Sequence, residues 1–185
     1  NIKKSMSIKR KILTLLVLLM LITIILISII GYKLMNAYTE DILYERGKGM
    51  VMFGSSMIPS RLINEASVNT DSSIGARSKL KTYLNEMDKQ SNLLFSGHII
   101  LYNENKKHYE IISASDGTQP NGIKEGSPFI PSKRTLPYIQ KVIDGENPQI
   151  TEIYKESSNK WVNAYAGIDG LEGSNKAILA VTINA

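Results

Sequence analysis

The sequence predicts an α+β protein: a transmembrane helix that continues into a long N-terminal helix, then a five-stranded antiparallel sheet with a long loop and a short helix. Three observations predict it. Residues Ile12 to Ile30 carry no charge and only Thr14, Thr23 and Ser28 as polar side chains, directly behind Lys9, Arg10 and Lys11. At ~1.5 Å of helix rise per residue the run covers roughly 28 Å, close to the hydrocarbon thickness of a bilayer. After Ser91 the hydrophobic period changes from helical to alternating. Between the second and third alternating runs stand Gly117, Pro120, Gly122, Gly126, Pro128 and Pro131, a density of breakers that reads as one long loop.

The apolar run is read as an uncleaved anchor over 12–32, with 1–11 as a basic cytoplasmic tail and 33–185 as one extracytoplasmic domain. A cleaved signal peptide has a shorter apolar core and a small-x-small exit, whereas this run leaves through Ser28-Ile29-Ile30-Gly31-Tyr32-Lys33. A pilin leader, with its Gly before Phe or Met and a Glu five residues on, has no counterpart here. Lys3, Lys4, Lys9, Arg10 and Lys11 keep the N-terminus inside the cell membrane and send the bulk outside. The formal charge is +5, yet without those five bases 17 Lys and Arg face 17 Asp and Glu. The basic balance is therefore a topology signal, and nucleic-acid binding loses its support. With no Cys there is neither a disulfide framework nor a thiolate metal site. Starting at Asn1 and stopping after an apolar run, the chain is expected to be an excerpt of a longer protein.

From Lys33 to Ser56 the helix is expected to continue, with Met35, Tyr38, Ile42, Gly49 and Met52 on a heptad-like stripe interrupted at Glu45 and Gly49. The stripe suits either a homodimeric coiled coil or packing on its own domain. Pro59 breaks or kinks the helix, and the polar stretch Asn64 to Ser73 reads as a loop or frayed turn. A second amphipathic helix is expected over Ala76 to Gln90, with Leu80, Tyr83, Leu84 and Met87 on one face. Strands follow at Leu93 to Tyr102 and Tyr109 to Ala114, joined by Asn103-Glu104-Asn105-Lys106-Lys107. After the long loop, a short helix over Leu136 to Ile143 ends at Asp144-Gly145, where glycine supplies a left-handed cap. Gln149 to Lys155, Lys160 to Ile168 and Lys176 to Asn184 read as three more strands with short polar turns at Glu156 to Asn159 and Asp169 to Asn175. On the strand from Lys160, Trp161, Asn163, Tyr165 and Gly167 share one face and Val162, Ala164, Ala166 and Ile168 the other. The aromatic and polar face suits a small-molecule pocket. It equally suits a half-exposed sheet surface.

The order helix, helix, two strands, long loop, short helix, three strands is similar to a PAS-type sheet, and behind a membrane span it resembles the Cache family of extracytoplasmic sensor domains. The resemblance is carried by Gln149-Ile150-Thr151-Glu152-Ile153-Tyr154-Lys155-Glu156, by Lys160-Trp161-Val162-Asn163-Ala164-Tyr165-Ala166-Gly167-Ile168-Asp169, and by Ser115-Asp116-Gly117 with Pro120 and Gly122. Gly167-Ile168 stands where the family usually has Pro-Ile, and Asn184 where it ends in Asp. The resemblance implies that Tyr154, Glu156 and Asp169 hold a ligand ammonium, as in the amino-acid-binding subgroup, for which carboxylates and a tyrosine oxygen are suitable acceptors. That subgroup's Arg-x-Trp-Tyr is absent; Arg134 and Tyr138 lie in its region with another spacing. Arg134, beside Lys133, can present a bidentate fork to a ligand carboxylate. The plainer reading leaves Tyr154 as a strand-edge aromatic, Glu156 and Asp169 as solvated turn acids and Lys133-Arg134 as a solvated loop pair.

What remains excludes more than it suggests. His98 and His108, with no Cys or spaced acid, make a poor metal site and read as satisfied or exposed imidazoles. Gly47-Lys48-Gly49 lacks the phosphate-loop pattern, and no nucleophile stands beside a base. Neither a cofactor nor a catalytic role is expected of this segment. The expected function is the small-molecule-sensing region of a membrane-anchored bacterial signalling receptor, acting as a homodimer on an amino acid or carboxylate. A chemotaxis, histidine kinase or cyclase output is expected beyond this excerpt, and a second apolar span soon after Ala185 would favour that receptor over the alternative. The alternative is an anchored exported domain for structural or protein contacts, without a pocket.

Overall fold

The computed structural model describes residues 7–68, 71–90, 95–117, 123–156, 159–171 and 173–184, without the side chains of Asp71, Phe95, Glu156 and Asn159. Helix α1 (Ile8–Met57) is unbroken for 50 residues. The chain divides into two compact units, Asn1–Asp41 and Ile42–Ala185.

In the first unit, α1 is the one helix among the described residues that is long and apolar enough to cross a membrane, and none of its apolar window is buried within the chain. Its hydroxyls are already satisfied: Thr14, Thr23 and Ser28 each donate to the carbonyl four residues earlier at 2.8 Å. Such bonds would spare the helix the cost of an unpaired polar group in an apolar medium.

In the second unit, α1 buries Leu43, Gly47, Val51 and Gly54. This packing face is offset from the heptad-like stripe, whose Gly49 and Met52 are exposed. Pro59, at φ −68°, separates α1 from α2 (Ser60–Ser67), and α3 (Asp71–Gln90) follows. Here the sequence expectation needs correction, because Asn64 to Ser73 is mostly helical: α2 runs to Ser67 and α3 resumes at Asp71. Ile63 and Ala66 of α2 are buried in one core with Ala76, Leu80 and Leu84 of α3, and that tertiary burial outweighs a polar composition that is indifferent to helix on its own.

The sheet has the order β2-β1-β6-β5-β3, with β4 also paired to β5, and every pairing antiparallel. Its strands are β1 (Phe95–Asn103), β2 (His108–Ala114), β3 (Gln149–Ile150), β4 (Tyr154–Glu156), β5 (Asn159–Ile168) and β6 (Asn175–Asn184). The expected start at Leu93 lies outside the described residues. The expected strand Gln149 to Lys155 is split into β3 and β4. The split has a local cause: the Thr151 hydroxyl accepts the Asn163 N–H at 3.0 Å, while the Thr151 N–H donates to the Asn163 carbonyl at 2.8 Å. A side chain thus stands in for a backbone acceptor and interrupts the ladder.

One sheet face carries Ile99, Leu101, Val162, Ala164, Ala166, Ile168, Ala177, Leu179, Val181 and Ile183, which join the α1, α2 and α3 residues in the main core. A Cβ on Gly54 would meet Leu179 Cδ2 at 2.7 Å and press on Met87 Cε, so glycine lets α1 come this close. The other face is covered at one end by α4 (Leu136–Ile143), whose Ile139, Val142 and Ile143 pack on Ile100, Ile111, Tyr165 and Ile178. Helix α4 has the expected limits, and Gly145 at φ 96° closes it with N–H bonds from Gly145 to Val142 and from Glu146 to Lys141.

Candidate functional site

Register builds the site in two rows across three strands. Ser96 of β1 lies opposite Thr182 of β6, which lies opposite Asn163 of β5; one pair along, His98 lies opposite Ala180, and Ala180 opposite Tyr165. All six share the face that α4 only partly covers, because side chains two apart on a strand point the same way. The first row is wholly polar. In the second, Ala180 stands between two rings and leaves room above itself.

Above these rows is a cavity of about 380 Å³, floored by Ser96, His98, Asn163, Tyr165 and Thr182 and walled by Phe129, Ile130, Ser132 and Thr135. The long loop reaches this wall because it is laced to β2. Gly126, at φ 71°, donates its N–H to the Ile111 carbonyl at 2.7 Å, Ile111 donates to Ser127 at 3.0 Å, and Phe129 donates to Tyr109 at 2.9 Å. Phe129 then stands 5.8 Å from the His98 ring, tilted by 56°.

His98 is the residue that sequence reasoning missed. It is 5% exposed, and neither ring nitrogen has a hydrogen-bond partner among the described residues. Burial lowers its pKa from 6.5 to about 4, so it is neutral, with one nitrogen donating and the other accepting. Burial also pushes the Tyr165 phenol up, against hydrogen bonds from Thr135 and Asn163 that pull it down. The local trace of His98 was the pair Ser96-x-His98, two polar residues on one face of the strand ahead of the apolar run Ile99-Ile100-Leu101. Its meaning depended on β6 and the loop, both distant in sequence.

A second, more open cleft of about 480 Å³ adjoins the first and shares Ser132, Thr135, Tyr154 and Asn163 with it; Lys133, Arg134 and Lys155 complete its lining. The Arg134 guanidinium lies 4.7 Å from the centre of the Tyr154 ring, whose hydroxyl donates to Asn163 Oδ1 at 3.3 Å. Four of the residues singled out from sequence therefore converge: Arg134, Tyr154, Asn163 and Tyr165. Trp161 pairs with Tyr154 through the backbone and is half-buried, outside both linings. Asp169, just past the end of β5, is exposed and lines neither cavity. Glu156 closes β4, and its side chain is not among those described. The described residues hold no group of three or more His, Cys, Asp or Glu suited to a metal.

Fold and site together define an α+β domain with a ligand-sized pocket on one face of an antiparallel sheet. Neither protein-family models nor curated proteins give a match to this chain. Among solved structures it is similar to the ligand-binding domain of the Campylobacter jejuni chemoreceptor Tlp3, in complex with 4-methylisoleucine, at a TM-score of 0.48 and 14% identity. That alignment covers 82% of this chain and 54% of the other, so this chain spans about half the length of the one it matches.

Proposed function

We propose that this chain is the sensing region of a membrane-anchored signalling receptor, with its N-terminus in the cytoplasm and its sheet domain outside, and that the pocket receives a small polar molecule. The observation that carries the reading is His98, a buried imidazole at the floor of a cavity with neither nitrogen partnered. An unsatisfied buried polar atom costs about 1–3 kcal/mol, a cost that an incoming hydrogen-bonding ligand removes. The long apolar N-terminal helix, with basic residues in front of it, supports the anchor and its orientation.

The test uses the full chain in lipid nanodiscs and a broad panel of polar metabolites, read as thermal stabilisation. A ligand that binds only the folded state at a hundred times its Kd adds about 2.7 kcal/mol. At least one compound is expected to raise the melting temperature, and His98→Ala and Asn163→Ala are expected to remove the rise while staying folded. The second reading, an anchored interaction domain without a ligand, draws on Met52, Phe53 and Met57, which α1 leaves 48%, 60% and 52% exposed. A panel that shifts nothing favours it.

A further inference from the structure

Granted a sensing pocket at this place, we infer that its ligand is a small organic acid without an ammonium group, its carboxylate at the Arg134 mouth and a hydroxyl or carbonyl at its far end on His98. The two cavities share four lining residues, so one molecule can reach both ends. Among the described residues that line them there is no Asp or Glu, whereas Lys133, Arg134 and Lys155 line the outer one. A carboxylate finds three bases here.

An ammonium finds the opposite. Once desolvated it needs anionic acceptors, and the inner floor offers only hydroxyls, an amide and a neutral imidazole. Of the three acceptors that the family resemblance implies, Asp169 faces solvent, Tyr154 lines both cavities with a hydroxyl in place of a carboxylate, and the side chain of Glu156 is not among those described. At the far end, a ligand hydroxyl can donate to one His98 nitrogen or accept from the other, and a ligand carbonyl can accept from the protonated one. Selection against the amine therefore comes from what the pocket omits as much as from what it offers.

Matched compounds that differ in one group test this on the full chain in nanodiscs by titration calorimetry: lactate, lactamide and alanine, then malate, malamide and aspartate. At least one hydroxy acid is expected to bind about tenfold more tightly than its amide and its amino analogue. Arg134→Gln is expected to remove the preference for acid over amide, and His98→Phe to weaken acid and amide alike. An amino acid that binds as well as its hydroxy counterpart overturns the inference, and loss of that binding in Glu156→Gln would name the ammonium acceptor. Equal binding of acid and amide overturns it as well. If none of these compounds binds, the acid assignment falls, and the broad metabolite panel decides separately whether a sensing pocket exists.

Discussion

His98 makes a statement about pH as well as about ligands. In the unfolded chain it titrates near 6.5 and in the fold near 4. Between those values the unfolded state holds a proton that the folded state lacks, so stability falls as pH falls through this window. At about 1.4 kcal/mol per unit the loss amounts to roughly 3 kcal/mol by pH 4. Carboxylates also contribute to acid unfolding, so the measurement is a difference: urea denaturation of the chain and of His98→Gln across pH 4 to 7. The variant's curve is expected to be flatter by that amount. Parallel curves would mean that the imidazole accepts its proton inside the fold. At this scale the sequence was half legible. Asn163 and Tyr165 followed from the alternation of one strand, because their orientation is a local property of β5. The burial of His98 and the exposure of Asp169 depend on which strands lie alongside and where the loop lands, and no local period encodes either.

Glycines separate the faces of α1. Gly54 meets Leu179 and Met87 where a Cβ would have to go, while nothing lies within 4 Å of a Cβ on Gly49. Gly54→Ala is expected to destabilise the domain by about 1–3 kcal/mol through overpacking, and Gly49→Ala to stabilise it by roughly 0.5–1 kcal/mol through helix propensity. Chemical denaturation of the two variants decides. A loss at Gly49 instead would mean that a second chain covers that face. Element limits were readable where backbone chemistry is strong: Pro59 ends α1, and Gly145 closes α4. They were misread where packing decides, as in α2, whose Ile63 and Ala66 are buried in a core assembled from elements distant in sequence. The break between β3 and β4 depends on a hydroxyl meeting an N–H twelve residues away.

For the whole molecule, the proposed topology and assembly can be tested with the same chemistry, since the chain has no native cysteine. Lys106→Cys, in the exposed turn between β1 and β2, is expected to react with a membrane-impermeant maleimide on intact cells, and Ser5→Cys only after lysis. The reverse pattern would overturn the orientation. Single cysteines from Met35 to Met52 are expected to crosslink between chains with helical period, strongest at Met35, Tyr38, Ile42, Gly49 and Met52. Met35, Tyr38, Gly49 and Met52 are exposed, whereas the intradomain packing uses Leu43, Gly47 and Val51. Uniform crosslinking around the helix would remove the homodimer from the proposal.

The lacing of the long loop onto β2 also matters to the protein's neighbours. β2 is a terminal strand of the sheet, and its outward N–H and C=O groups would otherwise be a template for a strand of another copy. Gly126, Ser127 and Phe129 occupy several of them. At the opposite margin β3 and β4 are short and separated by Thr151. Under the proposed anchoring, chains tethered to one membrane would meet at high local concentration, where an open sheet margin invites aggregation. The segment that walls the pocket would therefore also keep crowded copies from pairing edge to edge.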